Sequence, residues 1–158
     1  MSTAFELLKF VHILSSTLLF GTGLGTAFHM SVTHLRGDVK AIAATVRNVV
    51  LADWLFTATS GMVQPVTGIA LVIMAGYDPA SSWLVATYWL YLLAGACWLV
   101  VVRLQIRIAR IAAECAREDA PLPLAYAHAM RAWFWLGCPA FLALVGVFWL
   151  MVSKPDLW

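Results

Sequence analysis

Charge is what this chain has least of. Asp, Glu, Lys and Arg make up only 11% of its 158 residues, against about a quarter in a soluble domain, while 63% are hydrophobic. With a mean hydropathy of +0.87, that scarcity excludes a soluble globular domain and makes the chain an integral membrane protein. The formal net charge of +2 is too small to argue for nucleic acid, and no nucleic-acid partner is expected. Cysteine is scarce too. Cys97, Cys115 and Cys138 are widely spaced with no CxxC pair, which excludes a disulfide framework or a zinc site and leaves packing residues. The first apolar run lacks a basic leader, its only early cation, Lys9, lying inside it, so a retained helix is expected rather than a cleaved signal. No internal repeat or low-complexity stretch is evident, and no segment between the apolar runs is long enough for a second domain.

What the chain does have is four long apolar runs, at about 5–30, 49–75, 84–108 and 132–152. A hydrocarbon core of ~30 Å needs about 20 such residues in helix. The sequence therefore predicts one all-α domain, a four-helix bundle crossing a lipid bilayer. Eight of the ten basic residues, Arg36, Lys40, Arg47, Arg103, Arg107, Arg110, Arg117 and Arg131, flank the first and third connections. The positive-inside rule then places those connections in the cytoplasm and both termini on the outer, periplasmic side of a bacterial inner membrane. Tyr77, Trp83, Tyr88, Trp89, Trp149 and Trp158 are expected at the outer interface, and Trp54, Tyr126, Trp133 and Trp135 at the inner one.

Polar residues inside the runs fall into stripes. At 3.6 residues per turn His12, Ser15, Ser16, Gly23 and Thr26 share one side of the first span. Asp53, Thr57, Ser60, Gln64, Thr67 and Gly68 share one side of the second, where Pro65 can kink the helix and free a carbonyl. Two striped helices are best buried facing one another. Gly21 and Gly25 form a GxxxG pair on a different side, expected to let another backbone or a flat macrocycle approach. A dinucleotide fingerprint is excluded, because these glycines sit inside a lipid-spanning run rather than between a strand and a helix. Between the first two spans, Gly37 can end one helix and Asp38 cap the next.

Histidine at membrane depth points to function. His12 lies ~10 Å into the first span, and a neutral imidazole is a common ligand of b-type haem iron; the alternative is a histidine hydrogen-bonded to a neighbouring helix. His29 is about 25 Å further along and cannot share that iron. Together with His128 it could ligate a second haem, whereas His34 and His128 also read as ordinary interfacial histidines. Arg103 and Arg107 could hold propionates or an anionic substrate; alternatively Arg103 pairs with Asp53, each relieving the other's desolvation. Gln64 is a buried amide open to a cofactor, a water or another helix.

The segments LLKFVHILSSTLLFGTGLGTAFHM and DWLFTATSGMVQPVTG resemble a family of small bacterial four-span membrane proteins along nearly the whole chain. More distantly, LKFVH with Lys9 and His12, the tryptophan-led WLVATYWLYLL and the closing Lys154-Pro155 are similar to the HemJ-type protoporphyrinogen oxidases and the CopD-like copper-resistance proteins. The resemblance implies haem b near His12; the stripes and depths of the residues themselves add Ser16, Gly23, Gln64, Arg103 and Arg107 as expected cofactor contacts and His29 and His128 as expected further metal ligands. The HemJ-type lysine early in the third span is absent from Trp83-Leu-Val-Ala-Thr87, so the resemblance implies haem binding more firmly than a HemJ-like oxidoreductase activity. The methionine and cysteine clusters that suit copper are also missing. The expectation is a haem b protein with a redox role toward a porphyrinogen or quinone-like partner. The alternatives are a cofactor-free subunit of a homo-oligomer or larger membrane complex, and a CopD-like metal-handling protein.

Overall fold

A computed structural model describes residues 2–158. Five α-helices make four long rods: α1 (Thr3–Arg36), α2 (Val39–Ala52), α3 (Thr59–Ala75), α4 (Ser82–Arg117) and α5 (Leu124–Ser153). Residues Asp53–Ala58 wind as a π-helix that joins α2 to α3 without a break, so Val39–Ala75 is one rod. All four rods are long and apolar enough to cross a membrane. No strand occurs among the described residues.

The rods extend beyond the apolar runs because caps, not hydropathy, end them. Gly37 takes a left-handed φ of 75° and donates its N–H to His34 O, a conformation glycine adopts without a Cβ penalty. The Asp38 carboxylate then accepts from the amides of Lys40 (2.9 Å) and Ala41 (3.1 Å), capping α2 as the sequence predicts. Gly76, at φ 70°, closes α3 in the same way. The second rod starts at Val39 rather than near 49, and the fourth at Leu124 rather than near 132, where Pro123 has an extended backbone and the helix-compatible stretch AYAHAMRA follows it.

Packing is uneven along the bundle. At the end formed by the connections at 37–38 and 118–123, all four rods share a core of Met30, Ile42, Val46, Val49, Val101, Ile108, Ala112, Tyr126, Ala129, Met130 and Trp133. Tyr126 and Trp133 are buried there, 2% and 5% exposed, rather than forming an interfacial belt. Toward the end that carries both termini, the bundle is built chiefly from two antiparallel pairs, α1 with α3 and α4 with α5. There Phe20 of α1 stacks on Phe141 and meets Phe148 edge-on, both from α5. Leu7, Phe10, Phe28, Val66, Ile69, Ile73, Trp89, Leu142 and Trp149 point outward, as lipid-facing residues do. So do Gly21 and Gly25. A Cβ built on either meets nothing within 4 Å, so the GxxxG pair brings no backbone of this chain close.

Candidate functional site

The two polar stripes face each other. Asp53, Thr57, Ser60, Gln64 and Thr67 are all buried, between 4% and 8% exposed, along one side of the second rod. Antiparallel packing of α1 on α3 matches Ser15 with Gln64 and His12 with Thr67.

At that level the contacts form a closed clasp. Gln64 Nε2 donates one proton to the His12 carbonyl at 2.7 Å and the other to Ser15 Oγ at 2.6 Å. The Ser15 hydroxyl in turn donates to the same His12 carbonyl at 3.1 Å. Across the helix pair, His12 Nδ1 lies 2.7 Å from Thr67 Oγ1. Thr67 Oγ1 is also 2.8 Å from Val63 O. A hydroxyl has one proton. Only one arrangement satisfies both short contacts: Thr67 donates to Val63 O and accepts from His12 Nδ1–H. A neutral imidazole is then the Nδ1–H tautomer, with the lone pair on Nε2, which makes no hydrogen bond to any described residue. Gly68 leaves room for the ring. A Cβ there would lie 3.3 Å from His12 Cε1.

One turn deeper, Pro65 has no N–H for the carbonyl of Gly61 four residues back. Tyr91 of α4 supplies the missing donor, its hydroxyl reaching Gly61 O at 2.6 Å. The freed carbonyl was expected; Tyr91 was not, although it is one of few hydroxyls in the third run.

A second polar centre surrounds Asp53, which is 5% exposed. Thr57 Oγ1 donates to its carboxyl at 2.9 Å within the π-helix. The Gln105 side chain of α4 faces the same group. Arg103 does not pair with it. Arg103, Arg107 and Arg110 lie on the exposed side of α4, while Gln105, Ile108 and Ala112 make the buried side. Gln105 Oε1, Trp98 Nε1 and Trp133 Nε1 are buried without a hydrogen-bond partner among the described residues.

The remaining candidates are dispersed. Ser16 Oγ turns back to Ile13 O at 2.7 Å, and a Cβ on Gly23 meets nothing within 4 Å. His29 and His128 are exposed, and His34 contacts the Tyr126 hydroxyl at 3.1 Å. Both α1 and α4 start at the terminal end. Nine residues into α1 and 21 into α4, His12 and Arg103 differ in depth by ~18 Å, so one group centred on His12 does not reach Arg103 or Arg107. Lys9, one turn from His12 on the same helix and exposed, is the cation at its level. Among the described residues no three His, Cys, Asp or Glu side chains gather closely enough to share a metal ion.

Comparison with known proteins gives one match. The family model described as "Predicted integral membrane protein (DUF2269)" covers residues 6–155, and the chain belongs to that family. No curated protein and no solved structure matches the chain, and the HemJ-type and CopD-like likeness rests on the quoted residues alone.

Proposed function

We propose that this member of the DUF2269 family binds haem b in a bacterial inner membrane, with His12 as an axial ligand, and serves in electron transfer. The observation that carries this reading is the state of His12: Nδ1–H held by Thr67, Nε2 free, and the ring seated over Gly68. Metal-ligating histidines characteristically donate their other ring N–H to a fixed acceptor, which sets the tautomer and orientation. An imidazole lone pair left without a hydrogen-bond partner inside a membrane is costly, and a metal bond would relieve that cost. His12 thus fits one axial position. The Gln64–Ser15 clasp fixes the backbone that bears it, and Lys9 is the group at the right depth to meet a propionate. Bound haem would supply one-electron chemistry. A lipid-soluble donor such as a porphyrinogen or a quinone-like molecule can reach the site laterally from the bilayer.

A second reading, a cofactor-free subunit of a larger assembly, is favoured by the outward-facing Gly21 and Gly25. One experiment separates them. The protein is purified in mild detergent and its dithionite-reduced minus oxidised absorbance is recorded. A haem band that disappears in His12→Ala is expected. No band even after haem supplementation would overturn the haem reading and favour the second.

A further inference from the structure

Asp53 is a carboxyl group inside a lipid-spanning rod, and its recorded neighbours are neutral. Thr57 donates to it, and Gln105 faces it from α4. The ion pairs among the described residues are Lys40 with Asp119 and Arg117 with Glu118, both at exposed positions near the connections. Within about two turns of its level, the titratable and charged groups on the elements packed around it are His29 on α1, Arg47 on α2, and Cys97 and Arg103 on α4. None makes a hydrogen bond or ion pair with it. Buried carboxylates are normally paired, and an uncompensated one in the membrane is a large cost.

Depth gathers further groups here. Tyr91 bonds to Gly61, so eight residues deeper Asp53 stands level with about residue 99 of α4, between Trp98 and Gln105. Gly146 packs on Leu90, and 13 residues deeper Trp133 stands level with about residue 103. The residues that carry the three unpartnered buried atoms, Gln105 Oε1, Trp98 Nε1 and Trp133 Nε1, are thus spread over about 10 Å along the bundle around the level of Asp53. Gln105 is 3% exposed, so lipid headgroups and bulk water do not serve it. The π-helix adds a local departure from i→i−4 bonding, a feature frequent at functional sites.

We propose that Asp53 is the centre of a site for a small cation, a proton or Na⁺, held within the membrane by oxygen ligands from Asp53, Thr57 and Gln105. The carboxylate supplies the compensating charge and the Thr57 hydroxyl a neutral oxygen of the kind hard cations prefer; the Gln105 amide, whose nitrogen faces the carboxyl, turns over to present its unpartnered Oε1 to the cation. This site is separate from His12 and does not depend on haem.

The test is thermal unfolding of the full chain in detergent, in two series. One exchanges choline chloride for NaCl at fixed pH; the other varies pH in choline chloride alone. A wild-type midpoint that rises with Na⁺ identifies Na⁺; one that moves only with pH, falling as pH rises, identifies a proton. In Asp53→Asn the response is lost and the midpoint stays near that of the loaded wild type. A wild type that responds in neither series, or responds just as Asp53→Asn does, overturns the proposal. Should Asp53→Asn fail to accumulate, Gln105→Leu replaces it. Loss of one oxygen ligand should displace the half-maximal cation concentration by about threefold, the equivalent of one membrane hydrogen bond; an unchanged value overturns the proposal.

Discussion

Gln64 and Gln105 are both buried amides in a lipid-spanning bundle, 8% and 3% exposed, yet their surroundings are opposite. Gln64 uses both protons of its amide nitrogen on α1 and locks two helices together. Gln105 keeps a buried carbonyl oxygen without a partner, beside a carboxyl with no cation. In the first centre the Gln64 amide nitrogen, the Ser15 and Thr67 hydroxyls and His12 Nδ1 are all engaged, and the ligating atom left over is His12 Nε2. The second is open at several. In hydrocarbon, where no solvent completes a hydrogen-bond set, an open set marks the place for a ligand. The closed centre positions a single ligating atom; the open one surrounds a guest.

The largest effect that could break this contrast is at His12. His12→Ala should remove the haem band altogether, while Thr67→Val, which removes only the acceptor of Nδ1–H, should weaken haem binding ~10–100-fold in a titration. Equal loss in both would mean that Thr67 does more than orient the ring. Next come the two amides. Gln64→Leu should destabilise the fold by ~1–2 kcal/mol, two membrane hydrogen bonds' worth. Gln105→Leu in Na⁺-free buffer should stay within ~0.5 kcal/mol of wild type, because it removes a group that is itself incompletely bonded. Unfolding in mixed micelles measures both, and a Gln105→Leu loss matching that of Gln64→Leu would erase the distinction. Tyr91→Phe should cost ~0.5–1.5 kcal/mol, since Gly61 O then has no donor. Adding Pro65→Ala should recover most of it by restoring the helical N–H. Smallest is Gly68→Ala, whose Cβ must push the imidazole by a few tenths of an ångström. It should shift the haem spectrum while stability changes by less than ~1 kcal/mol.

Much of this was legible in the sequence. The 3.6-residue spacing of Asp53, Thr57, Ser60, Gln64 and Thr67 identifies the buried side of the second rod, and the His12 stripe identifies its partner. Gly37, Asp38 and Gly76 mark helix ends because only particular residues suit those backbone conformations. The pairing of Asp53 with Arg103 was misread because depth alone was compared. Helix rotation decides it, and Arg103, Arg107 and Arg110 turn together to the exposed side while Gln105 shares a side with Ile108 and Ala112. The same rotation takes Gly21 and Gly25 away from the core. The π-helix has no sequence marker in DWLFTA, whose side chains suit an ordinary helix equally well. Tyr91 was within reach: a proline at position 65 implies an orphaned Gly61 carbonyl, and such a group needs a donor from a neighbouring rod.

The central claim is that His12 is held as a ligand, with its proton on Nδ1. Nitrogen-15 spectra of the histidine-labelled protein, recorded without added haem and assigned by His12→Ala, test this directly. The account predicts a protonated Nδ1 and a bare Nε2 for His12, with the Nε2 resonance shifting on haem addition. A proton on Nε2, donated to some other group, would contradict it.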